Sequence, residues 1–327
     1  MAAELPEDDA AQLGAVRLPR GRRIVPDGHG PVAWVTSTDV PDPGPVWAAL
    51  SDLHPHTGLV PLLLEDDGRG ADEENFLFYE PVDPRDIDAA DPAQELARRW
   101  QDPDYREETW APPATPRATA FLGLRGRGEG SNSLGDIVCA IVGMVTDENR
   151  RQEFGRLSRE DLAAAGWPPP GSATETEEGD DGEPRGRPFP GLGPAVWERL
   201  ASAERTAALA RLPPARVCLV PAARPADALA VTGWFCTDQF QEPSVGVQVG
   251  AVLRSWEERF GAHLLKLGPG AEAWLLVDRP PRTQAAAEPI AAEHWAFADE
   301  FNGQGRGRFS DLVDAIVGRP LWHFWWD

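Results

Sequence analysis

The sequence predicts an α+β protein of two domains, and three observations carry that prediction. At 327 residues the chain exceeds the size at which a single hydrophobic core usually stops growing. Residues 168–190 (PPPGSATETEEGDDGEPRGRPFP) mix Pro, Gly, Glu and Asp with no apolar periodicity, the composition of a linker. On both sides of that segment, short apolar runs of strand length alternate with stripes of helical spacing. The expected division is an acidic N-terminal α+β domain over 1–167, a linker over 168–190 and a C-terminal domain over 191–327.

In the N-terminal part, residues 32–36 read as a strand and 45–53 as a helix with Trp47 and Leu50 on its apolar side. Residues 59–64 (LVPLLL) are too short for a buried helix and are bounded by Gly58 and the acids from Glu65, so a buried strand is predicted. Residues 76–79 can pair with it. Asp91 is a suitable N-cap, with Pro92 at the first helical position and Gln94 at N3, opening a helix to about Trp100. A strand over 118–124, a helix over 134–142 with Ile137, Val138, Ile141 and Val142 on one stripe, and a short helix from Leu157 to Gly166 complete this part.

After the linker, 217–220 reads as a strand. Val249, Val252, Leu253, Trp256 and Phe260 follow helical spacing, closed by Gly261 at C′. Residues 262–267 and 271–277 flank Gly268-Pro269-Gly270 as a hairpin. A helix follows over 283–301, interrupted or restarted at Pro289, then a helix over 310–317 capped by Gly318. Trp322, Trp325 and Trp326 fall in the last six residues, where a frayed tail would leave large aromatic areas in water, so a core strand is predicted there. The order β-α-β-β-α-β is that of a ferredoxin-like sandwich. Residues 136–143 (DIVCAIVG) and 311–318 (DLVDAIVG) agree at six of eight positions, an echo that a duplication or chance would both produce.

The net charge of −22 is unevenly spread: residues 65–108 hold 16 acids and 5 arginines, whereas 191–327 hold 16 acids and 13 bases. Such a field opposes nucleic-acid phosphate and anionic lipid and attracts basic protein surfaces. Three cysteines (Cys139, Cys218, Cys236) without CxxC spacing predict neither a disulfide framework nor a zinc knuckle. The opening MAAELPEDD has no charged segment ahead of an apolar run, and no apolar run reaches membrane-spanning length, so a soluble, cytoplasmic protein is expected. Among 31 basic residues Lys266 is the sole lysine, a bias that a GC-rich coding sequence explains.

Residues 253–262 (LRSWEERFGA), Arg279-Pro280-Pro281, 292–297 (AEHWAF) and the closing Trp325-Trp326-Asp327 resemble the domain-of-unknown-function family numbered 4253, over about 219–327. Residues 57–64 (TGLVPLLL) resemble the segment preceding that domain in longer members. The resemblance implies no activity. Members often carry Cys-Pro-Asp after the position of Phe297; here Ala298-Asp299-Glu300 stands instead, so a thiol role at that point is not available.

Candidate chemistry is sparse. His294 shares a stripe with Ile290, Phe297 and Phe301 and has Glu293 beside it, which reads as a core histidine, with a general base assisted by a carboxylate as the alternative. His323 alternates with Trp322 and Phe324 and should point away from both. His54, His56 and Asp52 fall short of the three or four convergent ligands a metal needs. The string from Gly126 through Gly128 to Gly130, with Asp147 about 21 residues on, approximates a dinucleotide fingerprint in position, but its third glycine is replaced by Ser131 and a similar string recurs over 303–307. Cys236 reads as a buried small hydrophobe. The sequence is therefore read as a non-catalytic protein-binding module of the immunity or inhibitor type, without a cofactor. Its docking face for a basic partner would include Glu65, Asp66, Asp67, Asp72, Glu73 and Glu74. The alternative is an enzyme or nucleotide-binding protein with a site near Glu293, His294 and His323 or at the glycine loop.

Overall fold

The computed structural model describes residues 3–26, 29–65, 81–101, 188–234, 245–268, 272–298 and 309–326. The expected elements over 76–79, 118–124, 134–142 and 157–166, and most of the expected linker, lie outside these residues. The described residues all fall in one compact unit.

Among the described residues eight strands form one sheet: β1 (Ala10–Leu13), β2 (Val16–Ile24), β3 (Ala33–Thr36), β4 (Leu59–Leu64), β5 (Arg216–Pro221), β6 (Ala262–Gly268), β7 (Glu272–Val277) and β8 (Leu321–Trp325). Their spatial order is β1-β2-β3-β5-β4-β6-β7-β8. Neighbours are antiparallel except β4 and β6, which run parallel through Leu63 opposite Lys266 and Leu64 opposite Leu267.

This order corrects two expectations. Strands β3 and β4, from before the 168–190 segment, flank β5, from after it, so the sheet does not divide there. The C-terminal elements do follow the order β-α-β-β-α-β, but β4 is inserted between β5 and β6 and pairs with both. Because β4 is antiparallel to β5 and parallel to β6, β5 and β6 run in opposite senses, and the parallel split βαβ unit of a ferredoxin-like sandwich is absent. The physical cause lies in β4: all six of its residues are apolar and buried, so it is stable only as an interior strand covered on both faces.

Both faces are covered. On one lie α3 (Pro92–Gln101), α6 (Val245–Phe260), α7 (Gln284–Phe297) and α8 (Phe309–Ile316), packed on Val60, Leu62, Leu64, Cys218, Val220, Leu264, Leu275, Trp322 and Phe324. On the other, α1 (Pro43–Thr57) and α4 (Ser202–Leu209) cover Trp34, Leu59, Leu63, Val217, Leu219, Leu265 and Leu276. Two shorter helices, α2 (Pro84–Asp88) and α5 (Ala228–Thr232), adjoin α6. Arg254 of α6 ties them in: it donates to Asp227 at 2.6 Å, to Asp88, and to the Pro84 carbonyl at 3.0 Å.

Local signals act as their chemistry predicts. Asp91 Oδ1 accepts from the Ala93 and Gln94 amides at 2.9 and 3.4 Å, and Thr283 Oγ1 accepts from the Ala286 amide to cap α7, which continues through Pro289. Gly261 and Gly318 close α6 and the α8 turn at φ of 59° and 64°, conformations that cost other residues strain. Among the described residues no helix is long and apolar enough to cross a membrane.

Candidate functional site

Helix α7 presents Glu293 inward with no exposure at all. Its carboxylate is saturated by four donors. Arg259 of α6 binds it bidentately, Nη1 to Oε1 at 2.8 Å and Nη2 to Oε2 at 2.6 Å, Trp256 Nε1 donates to Oε2 at 2.7 Å, and the Gly193 amide donates to Oε1 at 2.7 Å. Arg259 Nη1 also donates to the Gly193 carbonyl at 2.8 Å. A buried carboxylate is stable only when paired in this way. The pairing fixes α6, α7 and the segment around Gly193 to one another, and it leaves no oxygen free to take a proton from a substrate.

His294 faces the sheet. Its ring lies 4.4 Å from Trp322, 4.8 Å from Phe324 and 5.0 Å from Trp256, centroid to centroid. The residue is 5% exposed and Nε2 finds no hydrogen-bond partner. Burial, with the positive charge of Arg259 adding to it, lowers its pKa to about 3, so the ring is neutral at physiological pH. It is an aromatic wall of the core.

His323 sits across the sheet from His294. In β8, Trp322 and Phe324 are buried toward α6 and α7, while His323 stands opposite Trp274 of β7 on the other face. The structure therefore does not bring the two histidines together. His323 Nε2 lies 2.7 Å from Glu272 Oε1, which also accepts from Trp274 Nε1 at 2.8 Å. Burial opposes ionisation of Glu272, but these hydrogen bonds outweigh it and hold the carboxyl below its ordinary range. Lys266 joins the same cluster: its ammonium lies 5.1 Å from the Trp274 ring centroid and is paired with Glu65. The arrangement orients an imidazole with a carboxylate beside an ammonium, a geometry that can hold and pass a proton.

Sequence reasoning missed Lys266 and Glu272. One signal was available: a chain that uses arginine at every other basic position keeps its single lysine at a residue that is 7% exposed, paired with Glu65 and beside the Trp274 ring. Of the expected docking residues, Glu65 is described and its carboxylate is engaged by Lys266; Asp66, Asp67, Asp72, Glu73 and Glu74 lie outside the described residues. So do Gly126, Gly128 and Asp147 of the candidate cofactor loop, as well as Cys139 and Cys236. His54 Nε2 is 2.9 Å from the Ala222 carbonyl oxygen, and among the described residues no three His, Cys, Asp or Glu side chains converge for a metal.

Residues 216–327 match the model of a family described as a domain of unknown function (DUF4253). No curated protein and no solved structure matches the chain. The matched span begins at the first residue of β5 and supplies β5 to β8; the strand between β5 and β6 comes from residues 59–64, outside it.

Proposed function

We propose that this protein is a non-catalytic, cytoplasmic protein-binding module of the immunity or inhibitor type, whose acidic surface engages a basic partner. One observation carries the reading: among the described residues only two carboxylates, Asp227 and Glu293, are buried, and each is bound to an arginine. The other carboxylates of the described residues are partly or fully open to solvent, where charge acts on encounter rates and partner choice. The Glu293 and His294 pair singled out from sequence is committed to the core.

The test is recovery of the tagged full chain from its own host, followed by kinetics with the recovered partner. A stoichiometric basic protein is expected. Converting Asp66, Asp67, Asp72, Glu73 and Glu74 to their amides, with Glu65 left in place to hold Lys266, should slow association and flatten its salt dependence without moving Tm. Unchanged association at low salt would refute the acidic docking face. A retained small molecule with a turnover abolished by His323→Gln would move the function to the Glu272 and His323 pair.

A further inference from the structure

Residues 188–201 form neither helix nor strand, yet the chain on either side of Trp197 is fixed. The Val196 amide donates to the Arg259 carbonyl at 3.1 Å and the Leu200 amide to the Asp278 carbonyl at 2.8 Å. Further upstream, Gly193 is held through both its amide and its carbonyl by the buried Glu293 and Arg259 pair. A Cβ at Gly193 would stand 2.8 Å from Ile290 Cγ1, so the backbone lies directly on α7 where no other residue fits. A segment without regular structure is thus strapped to the helical layer by its own main chain.

On this strap Trp197 is 84% exposed. The other described tryptophans are all buried or half-buried, so exposure at this position runs against the behaviour of the rest of the chain. Beside it, the Glu198 side chain is 73% exposed and reaches Arg282 only at 3.9 Å, while Glu204, 51% exposed, reaches the same arginine at 3.7 Å. Long, exposed contacts of this kind are weak; Glu204 is also held by the Ala201 amide at 2.9 Å, so Glu198 is the carboxylate open to a stronger cation.

We infer that Trp197 is a docking anchor, and that it receives an arginine-bearing segment of a basic partner protein. A guanidinium stacks on the exposed indole face while Glu198 accepts its N–H groups, the combination in which cation–π attraction and a charge-assisted hydrogen bond reinforce each other. The pinned main chain holds the indole in place before the partner arrives, so little freedom is lost on binding. Tryptophan is among the residues most enriched at interface hot spots. This inference rests on the reading of the chain as an acidic binding module and names the residue that does the binding.

The test uses the full chain labelled with 5-fluorotryptophan, the Trp197 resonance being assigned by Trp197→Phe, and titration with an arginine octapeptide against a neutral peptide of equal length. The Trp197 signal should shift in step with saturation by the arginine peptide. Trp197→Ala should weaken binding about 10- to 30-fold, with Tm unchanged because the ring packs on little. Binding that leaves the Trp197 signal still and is unaffected by Trp197→Ala would overturn the anchor while leaving the acidic module standing. A signal that moves with protein concentration alone would make a second copy of the chain the occupant and overturn the inference. Absence of any binding at low salt would overturn both.

Discussion

Glu293 accepts hydrogen bonds from three residues in two separate parts of the chain, Trp256 and Arg259 of α6 and the Gly193 amide, and this makes it the ionisable residue whose loss the fold should feel most. Glu293→Ala leaves the Arg259 guanidinium, 15% exposed, with no carboxylate, and breaking one side of a buried pair costs about 3–5 kcal/mol. Urea denaturation should show that loss, and Glu293→Leu combined with Arg259→Met should recover part of it, because no orphaned charge then remains. His294 gives a second test, with a definite sign. Its pKa is about 3 in the folded protein and about 6.5 when unfolded, so the unfolded state binds the extra proton first. Stability from the neutral ring is complete above about pH 6.5 and is lost as the pH falls toward 3. Between pH 7.5 and 5 the loss is on the order of 2 kcal/mol. His294→Leu should remove this component, and parallel stability curves for the two proteins would show that the ring is not held neutral. The adjacency of Glu293 and His294 was legible in the sequence, but their roles were not. The partners that define them, Arg259 and Gly193, lie 34 and 100 residues from Glu293.

At the scale of elements, legibility followed the strength of local chemistry. The hairpin of β6 and β7, the helices opened at Asp91 or closed at Gly261 and Gly318, and the terminal strand each carry their own turn, cap or alternation, and they appear where the sequence places them. Strands β1 and β2 were not anticipated. Four of the nine residues of β2 are arginine, with a proline and a glycine among the rest, which reads as a basic loop; its strand character comes from pairing on both sides with β1 and β3. Strand β8 shows the opposite case, where alternation alone assigns the faces. Phe324 stacks on Trp256 at 5.1 Å, Trp322 meets Phe260 at 5.5 Å, and just beyond the strand Trp326 donates its indole N–H to the Phe297 carbonyl at 2.7 Å. Each of these rings is 2% exposed or less, and deleting one buried aromatic side chain costs about 3–5 kcal/mol. Removing residues 322–327 should therefore exhaust the roughly 5–15 kcal/mol that holds a typical domain together. The truncated chain should elute as aggregate or lose its near-ultraviolet circular dichroism; an unchanged melting curve would contradict the role assigned to the strand.

For the whole molecule, the decisive feature is that β4 crosses the expected domain boundary. Strand pairing between segments more than 150 residues apart leaves no local signature, so composition at 168–190 suggested a division that the sheet does not respect. The interleaving has a measurable consequence. If the Pro-, Gly- and acid-rich composition of 168–190 makes it the point of attack for a Glu-specific protease, brief digestion should cut near 175–183. Two independent domains would then separate on gel filtration. Here the C-terminal fragment would carry β5 and β6 with β4 lodged between them, contributed by the N-terminal fragment through six register pairs to β5 and two to β6. Pulling them apart exposes Leu62, Leu63 and Leu64 on one side and Val217, Cys218 and Leu219 on the other, all buried to 2% exposure or less, a loss of several kcal/mol of apolar burial by itself. The fragments should co-elute at the mass of the intact chain and part only in denaturant. The C-terminal fragment expressed alone should fail to fold unless the N-terminal fragment is supplied with it. Free separation of the nicked halves into two folded species would show that β4 does not bind the sheet together.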